Sequence, residues 1–248
     1  MTPRGSVASD AMDLGLTGKV ALVTAASKGL GRASARALVD EGASVAINGR
    51  DPERLRATAA ELGAEVLALP ADVTEPDAPQ RLVDATVERF GALHIVVGNA
   101  GGPPKARALE VDDATLLEAI DANLLTSIRL VRAAIPHLRA AGWGRVCLIA
   151  SSSVKQPIPD LTTSNTARAG LWGWAKTAAQ DLIGEGITLN LACPGLHATD
   201  RVTELGYAGR LGDPEDFGRV VAFLCSQQAG FLSGVALQVD GAGTLGLL

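Results

Sequence analysis

The sequence predicts an α/β domain: a doubly wound parallel sheet of about seven strands with helices on both faces. Three observations predict it. From Lys19 onward, apolar runs of strand length alternate with Ala/Leu-rich helical segments. The runs are apolar throughout, as in parallel strands buried on both faces. The 248 residues are 47% hydrophobic and 20% charged, enough to bury one large core and unlike a disordered chain.

The strand candidates are residues 20–23, 44–48, 65–70, 95–97, 146–150, 188–192 and 236–239. Helical patterns fill residues 31–41, 52–62, 78–90, 112–141, 164–184 and 213–226. No repeat, low-complexity tract or interdomain linker interrupts them, so one domain is expected over residues 12–248. In such a sheet, ligands sit beyond the carboxyl ends of the strands, where strand order reverses.

Composition narrows the function classes. A formal net charge of -5 argues against a nucleic-acid surface. No apolar run approaches the ~18 residues of a membrane span. Residues 1–11 lack the apolar stretch of a signal peptide and read as a flexible tail, with Met12 an alternative start. Cys147, Cys193 and Cys225 lie apart in apolar stretches without metal-ligand spacing. They read as buried reduced thiols of a cytoplasmic protein, and no metal is expected.

The first strand and helix flank the most informative stretch. Val20-Ala21-Leu22-Val23 runs into Thr24-Ala25-Ala26-Ser27-Lys28-Gly29-Leu30-Gly31, and a helical pattern follows at once. This strand–turn–helix unit aims a helix N-terminus at whatever anion lies above the turn. Gly29 and Gly31 let the backbone approach a pyrophosphate where a Cβ would collide. A tight turn without any ligand has a similar composition. The spacing Thr24-Ala25-x-x-x-Gly29-x-Gly31 resembles the T-G-x-x-x-G-x-G motif of the short-chain dehydrogenases/reductases. Ala25 replaces the motif's first glycine, which the turn tolerates provided the residue keeps a negative φ. The resemblance implies a single-domain Rossmann-type fold and assigns Thr24, Ser27, Lys28, Gly29, Leu30 and Gly31 to cofactor binding.

Further along, the second strand ends Asn48-Gly49-Arg50. An NAD site favours a carboxylate near this point for the ribose hydroxyls. Here Gly49 stands with Arg50 after it, and Lys28 is a second cation on the same rim. Each alone is equally an ordinary surface cation; together they suit a 2′-phosphate and favour NADP(H) over NAD(H). Asp72 and Val73 close the third strand where the family contacts adenine, although Asp72 also reads as a helix cap. Asn99-Ala100-Gly101 resembles the family's N-A-G, with Gly98 where a second Asn is common; Asn99 alone would pass for a turn residue. Asn123 falls at the family's helix asparagine, which holds a relay water, or is satisfied by a neighbouring carbonyl. Pro194-Gly195 with Thr199 resembles the P-G-x-x-x-T loop beside the nicotinamide, and Val239-Asp240-Gly241 the closing V-D-G. The resemblance spans Lys19 to Gly241.

The catalytic pattern departs from the family. Ser151 stands where the family has its Ser, but thirteen residues on is Ser164 in place of Tyr, and four further Arg168 in place of Lys. The chain's one tyrosine, Tyr207, has no Lys four residues on. A Tyr works as the carbonyl acid because a neighbouring Lys pulls its pKa down toward neutrality. A Ser hydroxyl is far less acidic and shorter. Arg168 can still hold the nicotinamide ribose and supply positive charge, but cannot shuttle protons. His197, in the loop after Pro194-Gly195, titrates in the useful range and is a candidate donor, or else a surface or cap histidine. Lys155 reads as a pocket-mouth or solvated lysine, and His94 and His137 read as surface positions.

Two further features shape the expectation. The chain passes from Arg201 to Gly212 within a dozen residues, where the family spends a longer helical lid. That leaves an open pocket suited to a bulky or carrier-bound substrate. Leu171, Trp172, Trp174 and Ala178 form an apolar stripe that is core packing or, by family analogy, part of a homodimer or homotetramer interface. The expected function is an NADP(H)-dependent ketoreductase or secondary-alcohol dehydrogenase on a small-molecule substrate, with Ser151, Asn123, Ser164, Arg168 and His197 as catalytic candidates. The alternatives are a cyclase, dehydratase or isomerase on the same fold, or a non-catalytic homologue.

Overall fold

In a computed structural model of the chain, describing residues 12–204, 206–207 and 209–246, each apolar run becomes a strand. The expected tail over residues 1–11 lies outside the described residues. The strands are β1 (Val20–Val23), β2 (Ser44–Gly49), β3 (Leu67–Pro70), β4 (Ile95–Gly98), β5 (Gly144–Ile149), β6 (Ile187–Pro194) and β7 (Ala236–Val239). All pair in parallel, in the order β3-β2-β1-β4-β5-β6-β7. The order reverses between β1 and β4, so the crevice beyond Val23 and Gly98 is the expected ligand site.

The helices are α1 (Gly29–Asp40), α2 (Pro52–Leu62), α3 (Ala78–Phe90), α4 (Asp113–Ile120), α5 (Thr126–Ala140), α6 (Thr162–Leu182), α7 (Asp200–Glu204) and α8 (Pro214–Leu224). Two apolar clusters fill the faces of the sheet. One holds Leu22, Val96, Leu130, Leu148, Leu171 and Leu191, the other Val23, Leu38, Ile47, Leu55, Val97 and Phe217. On the second face α1 and α8 meet backbone to backbone: a Cβ on Gly218 would lie 2.3 Å from the Ala33 carbonyl oxygen. All three cysteines are free and buried. No described helix is long and apolar enough to cross a membrane.

The structure corrects two expectations. The single helix expected over 112–141 is α4 and α5 joined by a π turn, Asp121–Leu125. Side chains compete with its main-chain ladder. Asn123 Nδ2 donates to the Ala119 carbonyl at 3.3 Å and the Thr126 hydroxyl to the Asp121 carbonyl at 3.1 Å. Thr126 N–H also bonds Asp121, five residues back. Such π turns often mark functional positions.

The second concerns Ala25. It does not keep a negative φ but sits at φ 46, in the left-handed region. The geometry fixes it there: Ala25 N–H donates to Asn48 Oδ1 at 3.3 Å, while its carbonyl accepts from Asn99 Nδ2 at 3.2 Å. Asn48 at the end of β2 and Asn99 just after β4 thus hold the N–H and the carbonyl of one residue, and the turn keeps a glycine-like conformation without a glycine.

Candidate active site

The β1–α1 turn is built from side chains that seal the ends of the strands. The Thr24 hydroxyl donates to the Asn99 carbonyl at 2.7 Å and accepts from Asn99 N–H at 2.8 Å, locking β1 to the segment after β4. A Cβ on Gly31 would fall 2.5 Å from the Ala25 carbonyl oxygen and 2.9 Å from Asn99 Nδ2, so only glycine fits. Gly29, at φ 58, faces Thr199: its Cβ position lies 3.6 Å from the Thr199 methyl. The glycine turn and the loop after Pro194 therefore converge over the start of α1, whose N-cap, Lys28, makes no side-chain cap bond. Unpaired N–H groups there suit a pyrophosphate. Gly195 packs equally tightly, its Cβ position 2.7 Å from Asp240 Cβ, and its N–H donates to the Val239 carbonyl at 3.0 Å.

At the ribose end, a side chain at position 49 would press to 3.1 Å from Ser27 and 3.2 Å from Leu55. Gly49 itself offers no carboxylate, and a larger residue there would require Ser27 or Leu55 to shift by a few tenths of an ångström. The two cations each stand 3.9 Å from an acid, Arg50 from Asp72 and Lys28 from Asp200. Exposed pairs this long are weak and are readily exchanged for a phosphate. Asp72 does not cap α3, whose N-cap is Asp77. It closes a local turn instead, accepting from Thr74 N–H at 3.0 Å and the Thr74 hydroxyl at 2.7 Å. Partial burial raises its pKa, but the bonds to Thr74 and the Arg50 charge outweigh burial and hold the carboxyl below its usual value. Val73 is buried beside it. Ala100 is half-buried and Gly101 exposed. At Gly98 a Cβ would lie 2.6 Å from Leu148 Cδ2, so a larger residue there would require the Leu148 side chain to shift.

Asn123 and Arg168 come together. Both are buried, with Asn123 1% and Arg168 6% exposed. Arg168 Nη1 donates to the Ile149 carbonyl at 2.6 Å and Nη2 to Asn123 Oδ1 at 3.3 Å. The guanidinium thus ties α6 to the end of β5 and to the π turn. Ser164 lies one turn before it on α6 and is also buried. Ser151 follows β5 in extended conformation, and its Oγ accepts from Ser153 N–H at 3.1 Å. Lys155 is turned toward Trp172, its Nζ 5.7 Å from the ring centroid.

His197 is not a surface histidine. It is 5% exposed, stacked edge-on to Phe217 at 5.2 Å between ring centroids, with Nδ1 3.3 Å from the Gly195 carbonyl oxygen. A Cβ on Gly212 would touch its Nε2 at 2.8 Å. The ring packs under α8, against Phe217. His94 is likewise not a plain surface residue: Nδ1 accepts from Val20 N–H at 3.1 Å, and burial together with the Lys19 charge lowers its pKa.

Three positioning residues escaped sequence reasoning. Asn48 joins Ala25 to the Leu69 and Ala71 carbonyls, at 3.1 and 3.0 Å. Its one signal was a polar residue in an apolar strand. Thr163 donates to the Pro104 carbonyl at 2.7 Å, and Asn165 bonds both the N–H and the carbonyl of Ile158, at 3.2 and 2.9 Å. These contacts fix the start of α6, and so the height of Ser164 and Arg168; nothing local in the sequence announced them. Burial pushes the Cys193 thiol up to about 12, which makes it unreactive.

Comparison with known proteins agrees with this geometry. The family described as Enoyl-(Acyl carrier protein) reductase matches residues 24–244. The chain is 31% identical over 237 residues to the 3-oxoacyl-(acyl-carrier-protein) reductase FabG of Haemophilus influenzae, covering 91% of this chain and 98% of that protein. It is 30% identical over 243 residues to Dehydrogenase/reductase SDR family member 4 of Homo sapiens, covering 91% and 87%. Among solved structures, L-sorbose reductase of Gluconobacter frateurii, complexed with NADPH and L-sorbose, superposes with a TM-score of 0.87. That pair is 30% identical, covering 93% of this chain and 98% of the reductase.

Proposed function

Since the chain belongs to the short-chain dehydrogenase/reductase family, and is an oxidoreductase of that family, we propose that it works as an NADP(H)-dependent ketoreductase with an atypical proton supply. One observation carries the cofactor choice. Position 49 is glycine and supplies no carboxylate to accept ribose hydroxyls, while Arg50 and Lys28 flank it with only loose acid partners. The similar sorbose reductase was solved with NADPH.

The glycine turn, Thr199 and Arg168 are the residues proposed to hold the cofactor, which supplies the hydride when bound. Ser151 polarises the substrate carbonyl. Arg168 contributes a fixed positive charge that stabilises the developing alkoxide electrostatically. Neither it nor Ser164 releases a proton near neutral pH, so the proton comes from water or from a hydroxyl of the substrate. The short α7 leaves room for a bulky or carrier-bound ketone. The same reading places the half-buried face of α6 around Trp172 and Trp174 against a second copy of the chain, as a homodimer or homotetramer.

Calorimetric titration with NADPH and NADH tests the cofactor assignment. NADPH is expected to bind at least about tenfold more tightly, the value of one charge-assisted phosphate contact. Equal binding, or none, overturns it. A second reading, non-redox chemistry on the same fold, is favoured by the way Ile149 and Asn123 engage Arg168 and close the usual relay. Product formation without any change in nicotinamide absorbance selects it.

A further inference from the structure

Outside the cofactor cleft, a pocket of about 260 Å³ opens between the start of α3 and the middle of α5. It is lined by Pro76, Pro79, Gln80, Arg129, Arg132 and Ala133, and shares no residue with the cofactor loops. Two guanidinium groups, one helical turn apart, line it, and no carboxylate does.

The two arginines differ in how they are satisfied. Arg129 Nη2 donates to Asp121 Oδ1 at 2.6 Å, whereas its Nη1 is buried with no hydrogen-bond partner among the described residues. A buried cationic N–H without an acceptor is costly, so an acceptor is expected there. Arg132 is exposed and makes no ion pair among the described residues. The acids near the start of α3 do not line the pocket and bond to other side chains. Glu75 and Asp77 both pair with Arg81, and Asp84 accepts from Gln80 Nε2 at 2.8 Å. Asp121 pairs with Arg129 alone and leaves Arg132 without a carboxylate partner among the described residues.

We propose that this pocket binds an oxyanion, a phosphate or a carboxylate, held between Arg129 and Arg132. The chemistry fits: a planar guanidinium fork matches two oxygens of one anion, and a neighbouring arginine adds charge. The size also fits, since 260 Å³ holds a phosphate with several waters at roughly 30 Å³ each. Through Asp121, the residue that opens the π turn carrying Asn123, the anion site adjoins the candidate active site.

The test is site-resolved NMR of arginine Nε–H groups in the full chain, titrated with inorganic phosphate and separately with acetate at constant ionic strength in chloride. Site resolution separates this pocket from phosphate binding at Lys28 and Arg50. Saturable shifts at Arg129 and Arg132, weakened roughly tenfold by Arg132→Gln with the melting temperature in chloride unchanged, are expected. Arg107→Gln, at a surface position elsewhere, leaves the affinity as it was. Tighter phosphate assigns a phosphoryl ligand; tighter acetate assigns a carboxylate. Shifts that rise linearly without saturating, or a saturable affinity indifferent to Arg132→Gln, overturn the proposal.

Discussion

Ala25 and Ala26 are adjacent alanines for which the structure predicts opposite responses to glycine. Ala25 is at φ 46, where a Cβ costs about 1–2 kcal/mol. Ala25→Gly relieves that strain but gives the unfolded chain more freedom, worth about 0.5–1 kcal/mol, and loses part of a half-buried methyl, a few tenths more. The net is a stabilisation of about 0.5 kcal/mol. Ala26 is fully buried and outside the left-handed region, so Ala26→Gly gains nothing and loses a methyl worth about 0.8 kcal/mol plus the same entropy. It is expected to destabilise by about 1.5 kcal/mol. The gap between the variants, about 2 kcal/mol, exceeds the uncertainty of either sum, and it appears as a difference in urea midpoints at matched slopes. Equal destabilisation of the two variants refutes the claim that position 25 is strained.

Three other outcomes follow from the same contacts. Gly31→Ala forces a methyl against the Ala25 carbonyl and is expected to cost about 1–3 kcal/mol and abolish cofactor binding, measured by thermal melting and NADPH titration. Arg50→Ala should weaken NADPH about tenfold and leave NADH unchanged by calorimetry, since only the phosphate is lost to it. Asp72→Asn tests the lowered carboxyl pKa. A depressed folded-state pKa stabilises above the unfolded value and is lost as pH falls through the folded one. The variant should therefore be less stable than wild type at pH 7, with the difference closing below about pH 4 in pH-dependent melts.

The fold was legible because its signal is repeated: seven apolar runs, separated by six helical patterns, leave little choice of architecture. The glycine turn was legible because Gly31 answers a steric demand that no other residue meets. What stayed hidden depends on partners distant in sequence. Ala25 reads as harmless locally, and its φ is set by Asn48 and Asn99. His197 reads as a surface histidine until Phe217 and Gly212 are brought against it. The π turn is invisible to periodicity, because one extra residue shifts the helical phase by about a quarter turn without removing its apolar stripe.

The contact at Gly218 has a mechanical meaning for the crevice. α1 begins at the glycine turn and α8 begins just past the His197–Gly212 bridge, so the helices carry opposite sides of the same opening. With the Ala33 carbonyl where a Cβ would be, the two backbones touch without an intervening side chain. The wall behind the glycine turn is thus two helices deep, joined where only a glycine lets their backbones meet.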